Sequence, residues 1–320
     1  MDVNKMQGLI NGIKQIREGV IDGAMSPEDA AALNREGVDE YRSGNYVKAY
    51  ELFYEAAENG DAWGMYNVAD MYKELAEEEE GEEEDMRAAF YWYNKAAHKG
   101  IYEAMFELGM MYYRGNGTEK DVMQAFAWCK RAAENDIVNA MNWVGEFYRD
   151  GEGVMQDINK AVEWFRKSAD GGNKYAAFSL AYLYDKGADG ISVDKAKSFQ
   201  WYKKAANEGH VIAMNNLGYA YQHGEGVKSD SVKAAEWYLK AIEGDNETAK
   251  SNLESLFKNL PQARREVVVK ELDKRVSKKS RQFAKDCLAS IVNNESDDCF
   301  ITTAVCKSFN KPDRSSIFEA

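Results

Sequence analysis

Residues 140–169 read Ala140-Met-Asn-Trp-Val-Gly-Glu-Phe-Tyr-Arg-Asp-Gly-Glu-Gly-Val-Met-Gln-Asp-Ile-Asn-Lys-Ala-Val-Glu-Trp-Phe-Arg-Lys-Ser-Ala169. Ala161, Trp164, Phe165, Ser168 and Ala169 keep the i, i+3, i+4, i+7, i+8 spacing of one apolar helix stripe. Trp164 also stands on a clock. Trp92, Trp128, Trp164, Trp201 and Trp237 are 36, 36, 37 and 36 residues apart. A bulky residue recurring at a period of roughly 20–50 marks a solenoid, in which one supersecondary unit stacks on copies of itself. The stripe around the tryptophans holds only small and apolar companions. The Trp row is therefore expected to be core, and Trp164→Ala to cost roughly 3–5 kcal/mol.

Working outward, the same frame returns at Ala89–Ala97, Ala125–Ala133, Ser198–Ala206 and Ala234–Ile242. We refer to it as the second helix of each unit. A first helix precedes it, framed by Ala140–Gly145 and its copies at Ala104–Gly109, Ala176–Ala181 and Ala213–Gly218, with a looser copy at Gly64–Ala69. A small residue holds the sixth place although Gly costs about 1 kcal/mol inside a helix. Close approach of the paired helix explains that choice. Between the helices lie Gly115-Asn-Gly117, Gly151-Glu-Gly153, Gly187-Ala-Asp-Gly190 and Gly224-Glu-Gly226, which end the first helix and permit positive φ. Asp121, Asp157, Asp194 and Asp230 follow, each four residues before the stripe, and cap the second helix. The Gly turns lack a Gly-Lys-Ser/Thr ending and a preceding strand, so they are structural turns and not phosphate loops.

The chain has 320 residues, 45% of them hydrophobic, and only three prolines, which suits a mostly helical protein. Its net charge of −13 argues against general affinity for nucleic acid or acidic membranes. No apolar run reaches transmembrane length, and Met1–Ile10 has no signal-peptide character. Of Cys129, Cys287, Cys299 and Cys306, only Cys129 lies in the Trp-marked repeats, so no disulfide recurs per unit. A cytoplasmic setting is expected, with secretion without a cleaved signal as the other route.

The pattern Ala-x-x-x-Leu-Gly-x-x-Tyr-x-x-Gly-x-Gly-Val-x-x-Asp-x-x-Lys-Ala-x-x-Trp-Tyr-x-Lys-Ala-Ala resembles the Sel-one-like repeat (SLR), a relative of the tetratricopeptide repeat. It runs over about 61–245. The unit from Asn34 to Gly60, with Gly37, Ala49, Phe53 and Ala56 and no Gly-x-Gly turn, resembles the shorter tetratricopeptide form. Ser26-Pro27-Glu28-Asp29 opens it as an N-cap, a first-turn Pro and first-turn acid. The resemblance implies an all-α, right-handed superhelical solenoid of about six helix pairs with a C-terminal cap. The expected divisions are an N-terminal helix over 1–25, repeats over 26–246, a helical cap over 247–293 and a tail over 294–320.

Three segments depart from the pattern. The acidic run Glu77–Asp85 replaces a Gly turn and is expected to be a mobile loop. After a last first-helix copy at Ala249–Phe257, one long helix is expected from Pro261 to Val292, rich in Lys and Arg and acting as the solenoid cap. The basic stripe and the acidic run could also meet. The tail Cys299-Phe-Ile-Thr-Thr-Ala-Val-Cys306 resembles a CFI-box that stops short of its full length.

Catalytic signals are weak. His98, His210 and His223 sit at helix ends, where solvated polar residues are usual. Ser192-Val-Asp-Lys195 matches Ser-x-x-Lys without the companion motifs of penicillin-recognising enzymes. No metal site or cofactor is expected. The favoured reading is a non-enzymatic scaffold or adaptor for a peptide or protein segment, in bacterial signalling or host interaction. The alternative is an enzyme using Cys299, or a beta-lactam-interacting protein. By resemblance to tetratricopeptide stacking, the first helices line a concave groove. Its rows lie three before, and one and four after, the sixth-place residue. They hold Tyr66, Phe106, Asn142, Phe178 and Asn215; Asp70, Met110, Glu146, Tyr182 and Tyr219; and Lys73, Tyr113, Arg149, Asp185 and Gln222. Asn amides there would hold an extended backbone, and aromatics its side chains.

Overall fold

A computed structural model describes residues 25–77 and 83–294. The expected helix over 1–25, the middle of the acidic run, and the tail with Cys299 and Cys306 lie outside the described residues. The chain falls into two compact units, up to Ala176 and from Ala177. Each is described by itself.

All named elements are helices. Counting from the first described one, they are α1 (Pro27–Arg42), α2 (Tyr46–Glu58), α3 (Ala62–Ala76), α4 (Glu83–His98), α5 (Tyr102–Arg114), α6 (Val122–Ala133), α7 (Val138–Asp150) and α8 (Ile158–Asp170). Then come α9 (Lys174–Lys186), α10 (Lys195–Asn207), α11 (Val211–His223), α12 (Ser231–Glu243), α13 (Glu247–Asn259), α14 (Gln262–Leu272) and α15 (Lys278–Asn294). Odd numbers up to α13 are first helices, and even numbers up to α12 are second helices. The chain is thus an all-α repeat, as its periodicity implies.

The punctuation works as expected. Ser26 Oγ accepts from Asp29 N at 3.1 Å, with Pro27 at the first helical position. Asp157 and Asp194 accept from the backbone N–H three residues on, at 3.0 and 2.9 Å. Asp121 and Asp230 each accept from the N–H groups two and three residues on. Gly115, Gly151 and Gly224 end their helices at φ of 78°, 74° and 75°, the left-handed conformation that favours Gly. The second glycine of each turn has a further role. A Cβ on Gly153 would run into the Val122 carbonyl of α6, and one on Gly226 into the Lys195 carbonyl of α10. These turns therefore sit against the preceding unit's second helix. Sixth-place glycines behave as the close-approach argument requires. A Cβ at Gly145 would lie 2.6 Å from the Phe165 ring, and one at Gly218 2.7 Å from the Tyr238 ring.

Those contacts correct the expectation for the Trp row. Tyr93, Cys129, Phe165 and Tyr238, one residue after each Trp, are 0% exposed, and Tyr202 is 5%. Trp92 and Trp128 are buried, but Trp164, Trp201 and Trp237 are only partly so. The seam between paired helices is centred on the small residue of the first helix, and the residue after Trp points there. The Trp lies one helix step, about 100°, to the side. A cation three residues on covers its outer face: Lys167 lies 4.4 Å from the Trp164 ring centre and Lys240 4.1 Å from that of Trp237.

Two further expectations change. Glu83, Glu84 and Asp85 are not loop: they form the first turn of α4, where acid complements the helix dipole, and Asp85 is buried. The long C-terminal helix is two helices. In one continuous helix the buried Leu272 and Ala284 would face about 120° apart. A break lets both face the core. Ser277 caps α15 by accepting from Ser280 N at 3.1 Å, and both hydroxyls donate to Glu243 of α12.

Candidate functional site

The first helices carry the expected site residues on both units. In the unit up to Ala176, that face is largely closed upon itself, with Trp63 as an exposed exception. Tyr66 of α3 packs edge-on against Trp63 and Tyr93, both at 5.7 Å between ring centres. The Tyr93 hydroxyl of α4 donates to Asp70. Burial pushes the Asp70 carboxyl up to about 6, helped by nearby Glu107, while the Tyr93 bond works the other way. Lys73 pairs with Glu107 of α5 at 2.7 Å, with both side chains mostly covered. Phe106 and Tyr113 are partly buried, and the Tyr113 ring packs tilted against Trp143 and edge-on against Phe147. Arg149 holds Glu146 at 2.5 Å and Asp150 at 2.7 Å. Asn142 Oδ1 is buried and has no hydrogen-bond partner among the described residues. Met110 is 4% exposed and so lies in the core and not on a groove surface. The reason is geometric: one place beyond the small residue, an unbranched side chain can turn into the helix seam.

The unit from Ala177 is open on the same face. Tyr182 of α9 is 50% exposed and Tyr219 of α11 is 43%. Both line a cavity of about 240 Å³, with Tyr202, Ser198 and Phe199 of α10 and Asn216 of α11. Asp185, Lys195 and Glu225 also line it. Lys195 Nζ reaches Asp185 at 2.7 Å and Glu225 at 2.9 Å, and Asp185 also holds Lys186 at 2.9 Å. Burial pushes the Asp185 carboxyl up, but the two ammonium groups outweigh it and hold it below its ordinary value. The same two carboxylates raise Lys195. Tyr219 stacks on His223 at 4.0 Å.

The remaining expected residues of this unit are packed. Phe178 stacks on His210 at 4.4 Å. Gln222 accepts from the Tyr238 hydroxyl at 2.7 Å. Asn215 is 7% exposed and accepts from Asn252 of α13 at 2.8 Å, so its amide joins two repeats and is not presented to a groove. Asn34 and Asn67 make the matching bond in the other unit, at 2.7 Å. His210 also departs from expectation. It is buried and caps α11, with Nδ1 accepting from Ala213 N at 3.1 Å.

Sequence reasoning missed Lys195, Glu225, Tyr202 and Asn216. The first-helix rows exclude them, because they come from a second helix, a Gly turn and a neighbouring helix position. The charge alternation at Asp185, Lys195 and Glu225 was the available signal. These contacts also dispose of the Ser-x-x-Lys match: an ammonium clamped between two carboxylates stays protonated and cannot serve as a base for Ser192. Burial pushes the Cys129 and Cys287 thiols up to about 12, far from the reactive range. Among the described residues there is no cluster of three or more potential metal ligands, and no helix is long and apolar enough to cross a membrane.

Comparison with known proteins agrees with this geometry. The Sel1 repeat family matches residues 31–61, 64–101, 103–137, 138–173, 174–210 and 211–246. A Sel1 repeat protein from Oxalobacter formigenes is similar in structure, with a TM-score of 0.63 and 29% identity over 80% of this chain and 98% of that one. A protective antigen of uropathogenic Escherichia coli with an SLR fold has a TM-score of 0.52 and 23% identity over 100% of this chain and 77% of its own. No curated protein matches the chain.

Proposed function

The chain belongs to the Sel1 repeat family, whose repeats generally serve as protein-interaction scaffolds, and on that premise we propose that it is a non-enzymatic adaptor holding a peptide or protein segment on the first-helix face of its repeats. One observation carries this reading. Tyr182 and Tyr219 stand half-exposed on successive first helices around a cavity, and Tyr175 and Ile212, two turns earlier on the same helices, are exposed as well. Tyrosines in that setting give contact area at low entropic cost and are typical anchors of protein interfaces. In the other unit, the partly exposed Phe106 supports a second contact region. The protein is read as bacterial, like the two structural relatives above, and as acting in signalling or host contact.

The test is affinity capture with the full chain and with a Tyr182→Ala/Tyr219→Ala variant. Both substitutions lie at the surface, so the fold is expected to survive. Loss of a specific partner from the variant, with melting unchanged, supports the reading. An unchanged set of partners removes this face from the function.

A further inference from the structure

We propose that the cavity lined by Tyr182, Tyr219 and Tyr202 is an anchor pocket for one neutral aromatic side chain, a tyrosine in particular, of the bound segment. The proposal rests on the scaffold reading above and specifies what it holds. Size comes first. The cavity measures about 240 Å³, below the range of roughly 300–1,000 Å³ usual for whole small-molecule ligands. About 150 Å³ suffices for a benzene ring, so a single substituted ring fits.

Charge comes second. The charged side chains of the lining, Asp185, Lys186, Lys195 and Glu225, already neutralise one another through contacts of 2.7–2.9 Å. A charged visitor would have to displace one of these partners, whereas a neutral one leaves the network intact. Polarity comes third. The Asn216 amide, with two N–H donors, lines the cavity beside the Tyr202 ring. Lys195 has a third N–H beyond the two it gives to Asp185 and Glu225. The lining therefore offers donors, together with two exposed ring faces for edge-on or offset packing. A tyrosine hydroxyl both donates and accepts, so it can use these donors and the Asp185 and Glu225 carboxylate oxygens together, whereas an indole N–H can use only the latter. The site is also held ready: the Lys195 clamp joins α9, α10 and the turn after α11, and His223 backs Tyr219.

The experiment selects peptides from a displayed random twelve-residue library against the full chain, then measures representative peptides by titration. Enrichment of tyrosine over input is expected. Substituting that tyrosine by alanine in the peptide, or Tyr219→Ala in the protein, should each weaken binding about tenfold, the effect of a typical anchor residue. Combining the two should cost little more than either alone. Peptides enriched in Arg, Lys, Asp or Glu without aromatics, yet still lost on Tyr182→Ala/Tyr219→Ala, overturn the pocket assignment and leave the scaffold reading standing. Peptides whose binding ignores both protein variants also overturn it and move the docking face elsewhere. If no peptide is selected at all, both readings fail.

Discussion

One register position separates the two units. One place after the small residue of the first helix, the unit up to Ala176 has Asp70, Met110 and Glu146, while the other has Tyr182 and Tyr219. Asp70 is short enough to be covered, and Tyr93 donates to it from the paired helix. Met110 turns into the core. A tyrosine at the same place reaches past the seam and stays half in solvent, with a cavity beside it. The same backbone repeat thus yields a face bonded to itself in one unit and a face with unused contact area in the other. Binding capacity in a solenoid is set by which side chains the second helices can absorb, not by the repeat frame.

The largest break in this comparison should come from Tyr93→Ala. Tyr93 is 0% exposed, so denaturant melts should show a loss of about 3–5 kcal/mol. A loss under about 1 kcal/mol would mean that the closed face is not packed as described.

Asp70→Asn sharpens the comparison through pH. The Asp70 carboxyl in the fold is pushed up to about 6 from an ordinary value of 3.8. A raised value means that the group favours folding when protonated. Its contribution is fully present below about pH 4 and is lost as pH rises through 6. The Asn variant, which is always neutral, should therefore exceed the native chain by about 1–3 kcal/mol at pH 8 and match it at pH 4. An equal difference at both pH values would refute a titrating Asp70.

Next in size is Trp164→Ala. With the ring only partly buried and one face covered by Lys167, about 1–2 kcal/mol is expected, well below the value for a core Trp. Phe165→Ala, next door and 0% exposed, should cost more. Equal losses would restore the Trp row to the core. The smallest effect belongs to Tyr182→Ala, expected within about 0.5 kcal/mol of the native stability. That near-silence, set against the loss at Tyr93, is what distinguishes an open face from a closed one.

Much of the fold was legible because its causes are local. The Asp caps, the left-handed glycines and the small sixth-place residue act within one helix pair, and each repeats its own evidence. The break between α14 and α15 was not legible, since it arises from where Leu272 and Ala284 find a core to face. The candidate site was half legible. The row rule found Tyr182, Asp185 and Tyr219, but it also included Asn215 and Met110, whose burial depends on neighbouring helices.

The sequence by itself determined the unit, its length, its punctuation and its register, because hydrophobic period and backbone conformation are properties of consecutive residues. Only the tertiary structure decided that the residue after each Trp, and not the Trp, centres the seam. It alone joined Lys195 to Asp185 and Glu225 across three elements. Burial and charge pairing depend on what the next helix brings, and no single repeat contains that information.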